Sequence, residues 1–258
     1  MGRSVANLLN YPLWVLVISF FLLWLAAWVG AKLHKRWDEQ MGEDVRSDFG
    51  VVQAATLTLL GLIIGFSFSM ATARYDLRKG YEESEANAIG TEYVRADLLP
   101  ADAGAQVRSL LRQWVDLRIR FYKTRDLEDL RTIDQETTRV GTQLWAAASN
   151  PAMAQPTSVI SLAVAGVNDV LNSEGYTQAA WWNRIPVAAW ALMFGIALFC
   201  NGLVGFGARE LKPRLFMILP LVVAISFFLI ADIDSPRGGV IRVHPQNLER
   251  LQAGLGDY

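Results

Sequence analysis

Residues 51–100 read VVQAATLTLLGLIIGFSFSMATARYDLRKGYEESEANAIGTEYVRADLLP. The first 20 of them, Val51–Met70, hold no charge and no proline. An α-helix rises ~1.5 Å per residue, so ~20 apolar residues cross a ~30 Å hydrocarbon core. The remainder is polar and charged, and its first proline is Pro100. Nothing between Val51 and Leu99 forces a helix to stop. The stretch therefore predicts one continuous helix that leaves a bilayer and runs on into a polar domain.

Three other runs have spanning character: Leu13–Ala31, Ile185–Gly207 and the shorter Leu215–Ala231, which contains Pro220. None is interrupted by Asp, Glu, Lys, Arg or His. In lipid the backbone must satisfy its own hydrogen bonds, so such runs are helices. The first is too long for the apolar core of a signal peptide, and WLAAWVGAKLHK offers a weak cleavage site, so it is read as a retained helix. The expected fold class is an all-α integral membrane protein: four transmembrane helices with a helical extramembrane domain inserted between spans two and three. By residue the divisions are 1–72 (first helix pair), 73–183 (helical domain), 184–233 (second pair) and 234–258 (extramembrane tail). The short loops 32–50 and 208–214 are denser in Lys and Arg than the opposite flanks. The positive-inside rule then puts the large domain and both termini outside, which in a bacterial inner membrane means the periplasm.

Within 73–183, apolar residues recur at helical spacing three times. They are Val107, Leu110, Leu111, Trp114, Leu117 and Phe121; then Leu127, Leu130, Ile133, Val140, Leu144 and Ala147; then Ile160, Ala163, Val164, Val167 and Leu171. Each stripe is one face wide, so the helices should pack on one another or on other copies. Pro151 and Pro156 are expected to bracket a loop, NPAMAQP. The tail carries Pro236, Gly238, Gly239 and Pro245, with a short helix expected near Asn247–Ala253.

Composition excludes several functions. Net charge is −1, so no global field points to nucleic acid. A single cysteine, Cys200, allows neither an intrachain disulfide nor a thiolate metal cluster. The two histidines, His34 and His244, lie outside the apolar runs. There is no Gly-rich phosphate loop, GxSxG elbow or HExxH. No enzyme activity, cofactor or metal is expected. Asp232 and Asp234 fall short of the six or more oxygens that calcium takes.

Four groups of residues are candidates for function. On the second span, Ala54, Thr58, Gly61, Gly65, Ser69 and Thr72 share one helical face of small residues; Ala188, Ala191, Gly195, Gly202 and Gly205 do the same on the third. Such faces serve close helix packing, as in Gly61-x-x-x-Gly65, or line a water-filled pore. Phe66 and Phe68 flank Ser67 and suit either a hydrophobic constriction or an interface belt. Arg74 and Arg78 form a basic collar, able to concentrate anions or anchor headgroups. Beyond it lies a polar surface of Glu85, Asn87, Thr91 and Arg95 among small residues, and at the end of the fourth span Asp232, Asp234 and Arg237.

The segments GLIIGFSFSMATARYD (61–76), EANAIGTEYVRADLLP (85–100) and LIADIDSPRGGVIRV (229–243), with the four-span layout, resemble the bacterial bestrophin-like family of membrane proteins, distantly related to bestrophin anion channels. The resemblance implies a homo-oligomer, pentameric as in bestrophins proper, whose second span lines an apolar neck between Gly61 and Met70. It implies passage of inorganic anions such as chloride or bicarbonate. The chain lacks the dense acidic cluster of the calcium clasp in animal bestrophins, so no calcium gating is carried over. The expectation is an oligomeric, anion-permeable channel; the alternative is a membrane-anchored scaffold or sensor whose helical domain binds a partner without conduction.

Overall fold

The computed structural model describes residues 11–37, 43–208 and 216–255. Among these, every regular element is helical. They are α1 (Pro12–Trp37), α2 (Glu43–Arg95), a 3-10 turn (Ala96–Leu98), α3 (Ala101–Lys123), α4 (Leu127–Ala154), α5 (Ser158–Trp182), α6 (Val187–Gly207), α7 (Ile218–Asp234) and α8 (Gln246–Gly254). Arg3, the loop residues Arg209, Lys212 and Arg214, and the first residue of the fourth run, Leu215, lie outside the described residues.

The continuous helix predicted from residues 51–100 is present. α2 runs unbroken for 53 residues. Thr56, Thr58, Thr72 and Ser84 donate their hydroxyls to carbonyls four residues earlier, so side chains that could compete with the helix are satisfied along it. The helix tightens into the 3-10 turn and stops at Leu99, extended at φ −88°, ψ 160°, as the residue before Pro100 must be.

Among the described residues, three stretches are long and apolar enough to cross a membrane: Pro12–His34, one within Asp48–Leu98 and one within Ser158–Gly207. The fourth predicted run appears as α7, whose 17 residues are shorter than the ~20 that cross a hydrocarbon core and end in Asp232 and Asp234.

The chain divides into two compact units, one of residues up to Arg74 with Arg184–Arg242, the other of Tyr75–Asn183 with residues from Val243. In the first, α1 packs along both α6 and α7. Glycine makes the α1–α6 approach possible: a Cβ on Gly30 would overlap the Gly202 carbonyl oxygen, and one on Gly205 the Ala27 carbonyl oxygen. Phe194 of α6 and Phe227 of α7 stack edge to face, with centroids 4.7 Å apart. α2 meets α6 at Cys200, whose thiol lies 3.3 Å from the Thr56 carbonyl oxygen.

The second unit is built by the three stripes read from the sequence. Val107, Leu111 and Trp114 of α3, Ile133, Val140 and Leu144 of α4, and Ala163, Val167 and Val170 of α5 share one core with Ile89 and Ala96. Asp126 caps α4 by accepting from the Glu128 and Asp129 amides, and Thr157 caps α5 by accepting from Ile160. The loop expected between Pro151 and Pro156 is shorter than predicted. α4 continues through Pro151 to Ala154. A proline this close to the C-terminus forfeits one helical hydrogen bond, while Ala147, Ala148 and Ala152 stay packed on the core.

The tail is fixed to the second unit. Glu82 accepts from the Asn247 amide (2.9 Å), the Asn247 side chain (2.6 Å) and the Leu248 amide (3.0 Å), capping α8 from α2. At the far end of α8, Arg112 donates to the Leu255 carbonyl (3.0 Å) and to Tyr93 Oη (2.5 Å). Lys123 pairs with Glu249 at 2.6 Å.

Candidate functional site

The apolar part of α2 is the least covered of the three spanning stretches. Only 6% of its most apolar window is buried, against 28% in each of the other two. Leu60, Ser67 and Ala71 turn inward, separated by seven and four residues. At 3.6 residues per turn, Thr58, Gly65 and Ser69 lie roughly 140–180° away from that stripe. Ala54, Thr58, Gly61, Gly65 and Ser69 are all exposed, and Thr72 partly so. A Cβ added to Gly61 or Gly65 would meet nothing within 4 Å. Among the described residues, therefore, Gly61 and Gly65 on this face have no neighbour that needs their smallness, unlike Gly30 and Gly205. Phe66 (64% exposed) and Phe68 (43%) stand on its two flanks. On α6 the small-residue face divides: Gly205 is needed for close packing, whereas Gly195 has open space beside it.

The charged continuation of α2 reverses the pattern. Glu85, read from the sequence as part of a polar surface, is fully buried (0% exposed). It forms an ion pair with Arg118 of α3 and accepts from Tyr122 Oη (3.3 Å) and Thr177 Oγ1 of α5 (3.2 Å). Glu174 adds a second carboxylate 3.7 Å from Arg118. Burial pulls the Arg118 guanidinium down, but the charge and hydrogen bond of Glu85 outweigh it and hold it above its ordinary value. Burial and the same carboxylate push the Tyr122 phenol up. Glu85 lies in the interior because its i, i+4, i+7 neighbours Ile89 and Glu92 belong to the same inward face. Glu92 is also fully buried, and neither of its carboxylate oxygens has a hydrogen-bond partner. Burial lifts it to about 8, the Arg95 charge opposes the shift, and Asp169 adds to it.

Asn87 and Thr91 do reach a surface. With Gly90, Arg108, Arg250 and Leu251 they line a groove of about 1140 Å³ between α2, α3 and α8. Arg95 is partly exposed and lies 4.0 Å from Asp169. Asp232 and Asp234, also predicted as surface groups, are buried. Asp232 accepts from the Val240 and Ile241 amides (2.7 and 2.8 Å), closing the Pro236–Gly239 turn. Asp234 accepts from the Ile185 amide (3.1 Å) and lies 3.5 Å from Arg184 Nε. They are inward because the backbone amides of two chain reversals need acceptors there. Arg237 is partly buried. Of the collar, Arg74 is partly buried with Nε and Nη1 enclosed and without hydrogen-bond partners, and Arg78 is enclosed (1% exposed).

The sequence reading missed Glu82, Arg118, Tyr122 and Thr177. One signal was available: Arg118 falls on the apolar stripe of α3, between Trp114 and Phe121, where a lone cation demands a buried acid. Among the described residues no group of His, Cys, Asp and Glu is arranged to hold a metal.

Residues 20–248 match the Bestrophin-like domain family. The fold is similar to that of crystal structures of a bacterial bestrophin homologue from Klebsiella pneumoniae. One aligns with a TM-score of 0.67 at 16% identity, covering 93% of this chain and 97% of that one. A point variant aligns with a TM-score of 0.65 at 15% identity, covering 94% and 98%. No curated protein sequence matches the chain.

Proposed function

Because the chain belongs to the Bestrophin-like family, we propose that it is an oligomeric, anion-permeable ion channel in which α2 lines the pore. The observation that carries this reading is the uncovered face of α2. Gly61 and Gly65 have open space beside them, and Thr58 and Ser69 stand exposed on the same side. A spanning helix that leaves its small, hydroxyl-bearing side uncovered in the single chain is suited to face an axis shared with other copies, pentameric by resemblance. Phe66 and Phe68 would narrow that axis and repel water. Arg74 falls on the inward side of α2, on the stripe of Ser67 and Ala71, with Nε and Nη1 enclosed. It and the enclosed Arg78 therefore take packing roles rather than facing that axis, through which anions such as chloride or bicarbonate would pass. In this reading the chain crosses a bacterial inner membrane several times, α7 included, with the second unit outside the bilayer.

The test is electrical. Purified protein in planar bilayers should pass chloride, and Gly65→Leu should lower unitary conductance while the oligomer elutes unchanged. An assembled oligomer that conducts nothing overturns the proposal.

A scaffold or sensor reading rests on the groove lined by Asn87, Thr91, Arg108 and Arg250. A specific partner retained by the full-length protein and lost on Thr91→Arg would favour it. The full chain is required, because α8 forms one wall of that groove.

A further inference from the structure

We infer that Glu92 is a proton-binding site, and that its titration moves Arg95 from Asp169 to Glu92 where α2 crosses α5. Conduction is not needed for this, and it can hold whether or not α2 lines a pore.

The geometry begins with Gly166 of α5. A Cβ placed there would overlap Oε2 of Glu92 and lie 3.0 Å from Nη1 of Arg95. Only glycine leaves room for the carboxyl to press against the α5 backbone, and the carboxyl and guanidinium border the same point. Glu92 is fully buried, and both of its oxygens lack a partner. A carboxylate without donors in a dry site is strongly disfavoured, whereas the neutral acid is tolerated. The acid lies 22 residues past Met70, well beyond the apolar part of α2.

Two charged groups face this carboxyl: Arg95, three residues on along α2, and Asp169, three residues past Gly166 on α5. Arg95 is held by Asp169 only loosely, at 4.0 Å, with the Asp169 side chain 64% exposed. When Glu92 loses its proton, the nearest available counter-charge is Arg95, whose guanidinium already borders the same glycine. One ion pair opens and another closes beside Gly166 of α5.

The sign follows from the raised value of about 8, against ~4.3 for an ordinary glutamate. The folded state holds a proton that the opened state releases. Stability from this group is complete below about pH 4, falls as pH rises, and is fully lost once pH has passed through the folded value. Amide exchange in α5 around Ala163–Val170, corrected for its intrinsic pH dependence, should therefore show opening that grows by up to about tenfold per pH unit and levels off near pH 8. Glu92→Gln should remove that slope. Asp169→Asn should move the levelling-off to lower pH, and Arg95→Gln should move it higher. A purely structural role for these side chains would shift the level of protection but not the pH at which it bends. If Glu92→Gln folds poorly, the Asp169→Asn variant, altered at an exposed position, still decides. An unchanged slope in Glu92→Gln, or an unmoved or raised bend in Asp169→Asn, overturns the proposal.

Discussion

The two halves of α2 treat burial in opposite ways. Val51–Met70, with no charge, leaves most of its surface uncovered. The continuation past Tyr75 hides three carboxylates, Glu82, Glu85 and Glu92. A helix in water would do the reverse. The contrast is explained if the first half is solvated by lipid or by another copy, and the second builds a water-surrounded core whose acids have specific partners. Glu82 serves α8, Glu85 serves Arg118, and Glu92 alone has no donor.

The comparison is sharpest where a partner can be removed. Arg118→Leu leaves Glu85 buried without its cation, and should cost about 3–5 kcal/mol. Thermal unfolding of the detergent-solubilised protein measures it. A loss under about 1 kcal/mol, the size of an exposed pair, would show that the interior of the second unit is wetter than its packing indicates.

In the first unit the glycines supply the next test. Gly205→Val drives a side chain into the Ala27 carbonyl and should destabilise by about 1–3 kcal/mol or more. Yield of monodisperse protein and its melting temperature report this.

Glu82→Ala removes the acceptor for three α8 donors and should cost about 1–2 kcal/mol. Limited proteolysis should then cut near His244 before any other site. Equal resistance in both proteins would mean that Arg112 and Lys123 suffice to hold the tail.

The smallest effect is expected where nothing is touched. Gly61→Ala meets open space, and should stabilise α2 by about 0.5–1 kcal/mol through backbone entropy alone. Measured destabilisation in the assembled oligomer, beside neutrality in a dissociated one, would locate a helix contact between copies at Gly61.

The helical character of the chain, the continuity of α2 and the three core stripes of the second unit were legible because each rests on periodicity and on the absence of proline. The end of α4 was misjudged because Pro151 reads as a breaker, although in a last turn it removes a single bond. Burial of Glu85, Asp232 and Asp234 was not legible. Their partners stand 33 residues away at Arg118, 49 away at Ile185, and across a turn at Val240. Pattern along one helix cannot announce an amide or guanidinium brought in by another. Glu85 and Glu92, seven residues apart, share a helical face, but whether that face meets water or Gly166 depends on another helix.

The capping of α8 by Glu82 joins residues 165 positions apart. In the order of synthesis, α2 is complete long before α6 and α7 emerge, and α8 comes after both. The Arg112 donors to the Leu255 carbonyl must wait for that last segment. Loop closure over such a separation is slow compared with pairing α3, α4 and α5, each next to the other in the chain. The second unit thus has a natural checkpoint: its final wall arrives only after the apolar helices have left the ribosome, so a chain stalled in that step carries an open seam along Ala86–Tyr93.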